Sequence, residues 1–318
     1  MKDVFGAWQS RSWLTWLLAL ALLALAPLVL GPYARYVVSM WLVFAIAAAG
    51  LNIPVGLGGI FSFGHGAFML IGAYALGVGS TQWGLPLPAA AGVAVLIAAL
   101  AGVLVGLPSL RLAGFSLAIV TFAFAHMLFH LCKAFEYTGG PQGIFMPDSP
   151  AAGWWNGTFH YYLVLALFFM ALGIAHSLMT SKTGRALRAL GPGEVVAQSL
   201  GVHPFRYKVL AFVLSAVYGA ISGSLLAIVT GYVAPDTYSP ELSVSVFAAV
   251  MIGGVGTLIG PVLGALFVVL IPELTQSVKG LSLIIYAVLF TAVATFYPTG
   301  LVGAWHAMRE RALRRRPV

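Results

Sequence analysis

Residues 181–208 read SKTGRALRALGPGEVVAQSLGVHPFRYK, and this polar interval governs how the rest of the chain is read. It carries Lys182, Arg185, Arg188, Arg206 and Lys208 against a single acid, Glu194. Apolar runs long enough to cross a bilayer lie on both sides of it. Lys and Arg resist translocation, so a basic loop between two spans belongs on the cytoplasmic side. The interval also has the marks of a docking element. Gly191-Pro192-Gly193 breaks the chain, and Glu194 to Leu200 can then wind about two helical turns. Glu194 falls in the first turn, where a negative charge favours the helix dipole. Gly201 stands where a helix commonly ends in the left-handed conformation, and Pro204 soon follows. Val196 and Leu200 are four apart and share one face. A short helix with an apolar face suits insertion into a partner's groove; an ordinary polar loop is the competing reading.

Composition sets the class. Of 318 residues, 61% are hydrophobic and 8% charged, where a soluble domain carries roughly 25% charged residues. Mean hydropathy is +0.99. This is an all-α polytopic membrane protein, so the net charge of +8 reports topology and not nucleic-acid affinity. A lone cysteine, Cys132, excludes an intrachain disulfide and a thiolate cluster. The first apolar run, from Ser12, is read as a retained helix and not a cleaved signal peptide.

A span needs about 20 apolar residues. Candidates are 12–31, 34–54, 60–79, 86–107, 111–133, 159–179, 208–230, 242–255, 257–272 and 281–298, about ten transmembrane or re-entrant helices. The pair 242–255 and 257–272 is short, and either member can be broken or re-entrant. Ten crossings put both termini in the cytoplasm with the basic interval. Thirteen of the sixteen Lys and Arg then lie inside, leaving Arg35, Lys133 and Lys279 outside. That asymmetry supports the arrangement; eight crossings remain open if two Gly-rich segments do not traverse. The tail 309–318 is a basic cytoplasmic stop that anionic lipid attracts. Outside lie two turn-rich segments, 136–159 and 231–241, which either receive a partner or simply connect helices.

Glycine interrupts two apolar segments, GLNIPVGLGGIFSFGHGAFMLIGAY at 50–74 and GGVGTLIGPVLGA at 253–265. Paired interruptions in two halves of a chain point to a translocation path, where irregular backbone lines a cavity. Close helix packing through small residues explains the same pattern and can coexist with a path. The candidates for solute contact are Asn52, Ser62, Gly64, His65, Thr121, Gly254 and Gly256. An intramembrane histidine such as His65 is a functional hypothesis by default; a neutral histidine bonded to its surroundings is the bland alternative. His126 and His130 are spaced as a metal pair, but HMLFH lacks the acid of a zinc-protease motif, and no metal site is expected. No GxxxxGK[ST] occurs, and no nucleophile–base set stands out, so neither an enzyme nor a nucleotide or other cofactor is expected.

Taken together and in order, several segments resemble the permeases of branched-chain amino acid ABC importers, of the LivM/LivH type and closer to LivM. They are 50–74, LPSLRLAGFSLAIVTFAF at 107–124, TGGPQGI at 138–144, GRALRALGPGEVVAQSLGVHPFRYKVLAFVLSA at 184–216, 253–265 and FYPTGLVG at 296–303. The resemblance covers about 40–303 and implies a permease of the bacterial cytoplasmic (inner) membrane, with 1–318 expected to form one permease domain. It implies a second homologous permease subunit, two ATP-binding cassette subunits inside and a solute-binding protein outside. It makes 181–208 the ATPase coupling loop, with Arg185, Arg188, Glu194, Val196, Ala197, Leu200, Gly201 and Lys208 as its coupling residues. Thr138, Gly139 and Gly140 would sit at the outer entrance. Two stretches depart from the family pattern, Leu112-Ala113-Gly114-Phe115-Ser116 and the Gly191-Pro192-Gly193-Glu194 run before Val196-Ala197. The first leaves the substrate open among branched-chain amino acids, urea, amides and other small polar solutes. The second points to a dedicated ATPase. From another class, a stand-alone ion-coupled transporter would need charge near the membrane centre, and the spans hold almost none.

Overall fold

The computed structural model describes residues 12–107, 112, 114–147, 157–191 and 193–275, with 284, 285, 288, 291, 295 and 300–303. The helices are α1 Ser12–Val29, α2 Pro32–Asn52, α3 His65–Thr81, α4 Leu87–Gly106, α5 Phe115–Ala134 and α6 Gly157–Thr180. They continue with α7 Lys182–Leu190, α8 Glu194–Ser199, α9 Pro204–Thr230, α10 Pro240–Gly253 and α11 Gly260–Leu274. Among the described residues, five stretches are long and apolar enough to cross a bilayer: Pro32–Leu57, Leu87–Gly106, Phe115–Ala134, Thr158–Thr180 and Pro204–Thr230. The basic tail 309–318 and most of the 281–298 window lie outside the described residues.

Burial separates central from peripheral helices. The most apolar windows of α2 and α9 are 72% and 67% buried, against 28% for α4 and α5 and 33% for α6. Helices α2 and α9, with the shorter and largely buried α3, are therefore the pillars. Helices α3 and α4 pack on α9, and α6 and α11 on α2. Lipid tails are as apolar as leucine, so small residues and close van der Waals contact hold such helices together. On α4, a Cβ at Gly102 would lie 2.9 Å from the Ala216 Cβ of α9. Buried hydroxyls and an indole tie the bundle across helices. Trp41 Nε1 donates to the Val262 carbonyl at 2.9 Å, Tyr218 to Ala171 at 2.7 Å and Ser224 to Gly72 at 3.0 Å. Helix α1 clips onto α6 through Tyr161, which donates to the Leu23 carbonyl at 2.6 Å.

Two features differ from the sequence expectation. The helix expected over 60–79 starts at His65, because side chains hold the backbone just before it in an irregular path. Phe63 N–H donates to Thr121 Oγ1 at 3.0 Å and Gly64 N–H to Ser62 Oγ at 3.3 Å. The two turn-rich segments also meet: β1 (Ile144–Phe145) pairs antiparallel with β2 (Tyr232–Val233), Ile144 opposite Val233. Lys133 Nζ lies 2.7 Å from Asp236 beside this small plate.

Candidate translocation core and coupling surface

Helix α2 ends where its sequence stops supplying helical hydrogen bonds. Pro54 has no N–H and cannot continue the ladder. The chain instead takes one wider π turn, Ile53–Leu57, with Gly58 N–H bonding to the Ile53 carbonyl at 3.3 Å. Such turns often mark functional positions. The Asn52 side chain, 2% exposed, reaches the second glycine segment from here. Its Nδ2 donates to the Thr257 carbonyl at 2.8 Å, and its Oδ1 accepts from Gly256 N–H at 2.9 Å. The two interrupted segments are thus clasped by one amide. Their backbones touch as well: a Cβ on Gly56 would fall 2.5 Å from the Gly256 nitrogen. Gly254 turns the chain between α10 and α11, and its carbonyl accepts from Thr257 Oγ1 at 2.8 Å.

Ser62, Gly64, His65 and Thr121 come together as a second group beside α5. Thr121 is fully buried, accepts from Phe63 N–H and donates to the Ala118 carbonyl at 3.0 Å. His65 opens α3 and is 1% exposed, with Nδ1 3.0 Å from Ser215 Oγ on α9. Its Nε2 is buried without a hydrogen-bond partner among the described residues. A buried polar atom left unpaired is costly and calls for an explanation. Gly66 N–H is met by Ser243 Oγ of α10 at 2.9 Å. An aromatic ladder adjoins this group. Phe63 lies 4.6 Å from Phe247 and 6.3 Å from Phe122 between ring centroids, and Phe122 lies 4.7 Å from His126. Phe61 flanks Phe247 and is 46% exposed. The sequence reading missed these rings; their two-residue spacing at 61 and 63, outside any helix, was the available signal.

The polar interval folds as two short helices at one end of the bundle. Arg185 donates to the Thr180 carbonyl at 2.9 Å and Arg188 to the Met179 carbonyl at 2.7 Å. Both therefore satisfy the exposed carbonyls that end α6, where cations are favoured. Leu187 and Leu190 bury beneath α7, and Ala197 beneath α8. Gly201 has φ +77°, its N–H bonds to the Gln198 carbonyl at 2.9 Å, and Val202 N–H bonds to Ala197 at 3.0 Å. This is a Schellman termination. Glu194 opens α8. Val195, Val196 and Leu200 are 80%, 52% and 70% exposed on the described surface of α8 and its end. Val195 was not singled out from sequence, although it adjoins Val196. Lys208 lies buried in the first turns of α9 and is not presented at this surface. The interval also touches the core directly, since a Cβ on Gly59 would stand 3.2 Å from the Gly191 Cα.

At the opposite end, Thr138, Gly139 and Gly140 close the end of α5. Thr138 Oγ1 reaches the Cys132 and Phe135 carbonyls, each at 2.7 Å. The run forms a turn between α5 and β1, away from the Asn52 and His65 groups.

A membrane bundle with glycine-broken helices clasped at one end, and a rigid apolar knob beside the clasp, is the frame on which relatives can be compared. Residues 33–295 match the family described as branched-chain amino acid transport system, permease component. The chain belongs to this family. The permease is 32% identical over 314 residues to the high-affinity branched-chain amino acid transport system permease protein LivM of Escherichia coli K12, covering 90% of this chain and 74% of that one. It is 25% identical over 285 residues to LivH of Salmonella typhimurium LT2, covering 82% and 91%. A shorter match, 34% over 111 residues, joins it to the autoinducer 2 import system permease protein LsrC of Enterobacter sp. 638, covering 33% and 32%. No solved structure matches. Members of this family are membrane permease components of ABC transporters and are not themselves enzymes; ATPase activity lies in other subunits.

Proposed function

We propose that this permease is one half of the membrane core of an importer for branched-chain amino acids in the bacterial cytoplasmic membrane. It crosses ten times with both termini inside, pairs with a second homologous permease and takes solute from an extracytoplasmic binding protein. Of the two ATP-binding subunits, one docks on the 181–208 loop. The observation that carries this reading is the exposed apolar face of Val195, Val196 and Leu200 on a helix locked by Gly201. Three large aliphatics grouped on one short helix suit cover by a partner.

The mechanism follows from what that helix abuts. Movement of α7 and α8 by a closing ATPase pair presses Gly191 against Gly59. From there it passes through the π turn and Asn52 to the Gly256 loop. The segments holding Ser62, Gly64, His65 and Thr121 then shift against α5, α9 and α10, exchanging outward for inward access. The permease supplies a passage and no covalent chemistry.

A second reading keeps the architecture and changes the cargo to urea, an amide or another small polar solute. The similarity to a relative named for autoinducer 2 import favours keeping it open. Co-purification of the tagged chain from its native membrane tests the main reading. Recovery of a second permease and ATPases, with ATP-dependent leucine uptake after reconstitution beside the binding protein, is expected. A chain that emerges alone and transports alone would refute it. An intact complex that ignores leucine, isoleucine and valine would move the cargo to the second reading.

A further inference from the structure

A cavity of about 240 Å³ opens between the first turns of α2 and α6 and the last turn of α9. It lies at the end of the bundle opposite α7 and α8, and none of the uses described above draws on it. Arg35, Tyr36, Thr158 and His160 line it, with Pro32 and Val229 as apolar walls. Among the described residues no acid lines the cavity, and no carboxylate pairs with Arg35. A guanidinium held half-buried without a counter-charge is unfavourable unless an anion arrives from outside.

The local hydrogen bonds leave donors on Arg35 and Thr158 for that anion, while His160, which also lines the site, donates or accepts according to its tautomer. Arg35 donates through one terminal nitrogen to Thr158 Oγ1 at 2.6 Å, which fixes the guanidinium against α6. Thr158 accepts there and keeps its own proton to give. Arg35 Nε is buried with no hydrogen-bond partner among the described residues. The Tyr36 hydroxyl is a further donor, and Tyr36 is 41% exposed. Two helix N-termini, at Pro32 and Gly157, flank the cavity, and both present positive dipole ends. The Ser39 hydroxyl is turned away, donating to the Arg35 carbonyl at 2.9 Å. Arg35 is also one of the few basic residues that the charge asymmetry of the chain leaves at this end, and Lys133, which shares it, is neutralised by Asp236. Arg suits phosphate because its planar fork offers several parallel donors.

We propose that this cavity is a phosphate-binding site, with Arg35 as its anchor and Thr158 and Tyr36 as supporting donors. Its ligand is a phosphate ester, supplied either by the headgroup of an anionic phospholipid or by a soluble molecule. The space exceeds what a bare water or two would fill, at about 30 Å³ per water. It has room for a phosphate and the start of its ester arm. The site is independent of the cargo and of the ATPase surface.

The test uses the full chain purified in mild detergent and exposed to phosphatidylglycerol, phosphatidylcholine or glycerol 1-phosphate. Retained lipid is read by native mass spectrometry and stabilisation by thermal midpoint. Preferential retention of phosphatidylglycerol over phosphatidylcholine is expected. Arg35→Gln should weaken it about tenfold, the loss expected for a hydrogen-bonded charge contact. Lys133→Gln, at the paired lysine, should leave retention unchanged. Thr158→Val and Tyr36→Phe each remove one donor and should weaken retention by smaller factors; they keep the test decisive if Arg35→Gln does not fold. Stabilisation by glycerol 1-phosphate, with displacement of the lipid, would assign the site to a soluble ester; retention of lipid alone would assign it to the headgroup. Equal retention by wild type and the variants, or no preference between the lipids and no effect of glycerol 1-phosphate, would overturn the proposal.

Discussion

Asn52 and Gly256 are joined across 204 residues of sequence by a hydrogen bond of 2.9 Å, from the glycine amide to the asparagine Oδ1. The same side chain donates to Thr257, so one amide fastens the end of α2 to the turn between α10 and α11. Truncation leaves a part-buried amide and a part-buried carbonyl unpaired at once. Asn52→Ala is expected to cost about 1–3 kcal/mol, from two part-buried groups left unsatisfied. Thermal unfolding in detergent measures it, and a midpoint equal to wild type would mean that the clasp contributes nothing. Asn52→Gln is expected not to rescue, because its extra methylene displaces both contacts.

Gly56 meets Gly256 backbone to backbone. A methyl at Gly56 would overlap Asn52 Oδ1, which both clasp bonds hold in place, and sit 2.5 Å from the Gly256 nitrogen, which is backbone and cannot yield. Gly56→Ala should therefore abolish uptake and lower the yield of folded protein. Gly92 in the middle of α4 has open space around its missing Cβ. Gly92→Ala should be tolerated and gain up to about 1 kcal/mol from helix propensity. Thermal midpoints and uptake of the two variants provide the comparison. Similar behaviour of both would remove the special status of the glycine-to-glycine contact.

The long helices were legible because hydropathy acts over whole spans, and five of those expected are long and apolar enough to cross among the described residues. The Schellman end at Gly201 was legible because its signals are local. What the sequence withheld were partners distant in the chain. Asn52 reads as a polar residue beside a proline, and only the fold brings it to Gly256. The start of α3 at His65 was missed for a similar reason. Its irregular lead-in is held by Thr121, 58 residues away from Phe63. The sequence shows Arg185 and Arg188 as charge alone, whereas in the fold their donors meet the carbonyls that end α6.

Val195, Val196 and Leu200 offer a direct test of the coupling surface. Serine at all three should leave the folded permease intact, since the side chains are more than half exposed. The same variant should lose co-purifying ATPase and ATP-driven uptake. Gly201→Val acts differently, by forcing a β-branched residue to φ +77° at a cost of about 1–3 kcal/mol. It should loosen α8 and uncouple ATP hydrolysis from uptake. Pull-down with the ATPase and uptake assays separate the two effects. Undiminished ATPase retention in the triple serine variant would place the docking surface elsewhere.

Thr121 and Phe63 supply the last prediction, which separates packing from hydrogen bonding before α3. Valine has nearly the shape of threonine but lacks the hydroxyl, so Thr121→Val leaves the Phe63 amide without its acceptor. The expected loss is about 1–3 kcal/mol, the range for one unpaired buried donor. Thr121→Ser keeps the hydroxyl and drops only a methyl, so it should be the milder change. If the stretch before His65 moves during transport, the weakened hold should also alter the uptake rate in Thr121→Val. Uptake and thermal midpoint recorded on both variants decide the matter. A serine variant as impaired as the valine one would show that the methyl group, and not the bond to Phe63, is what the site requires.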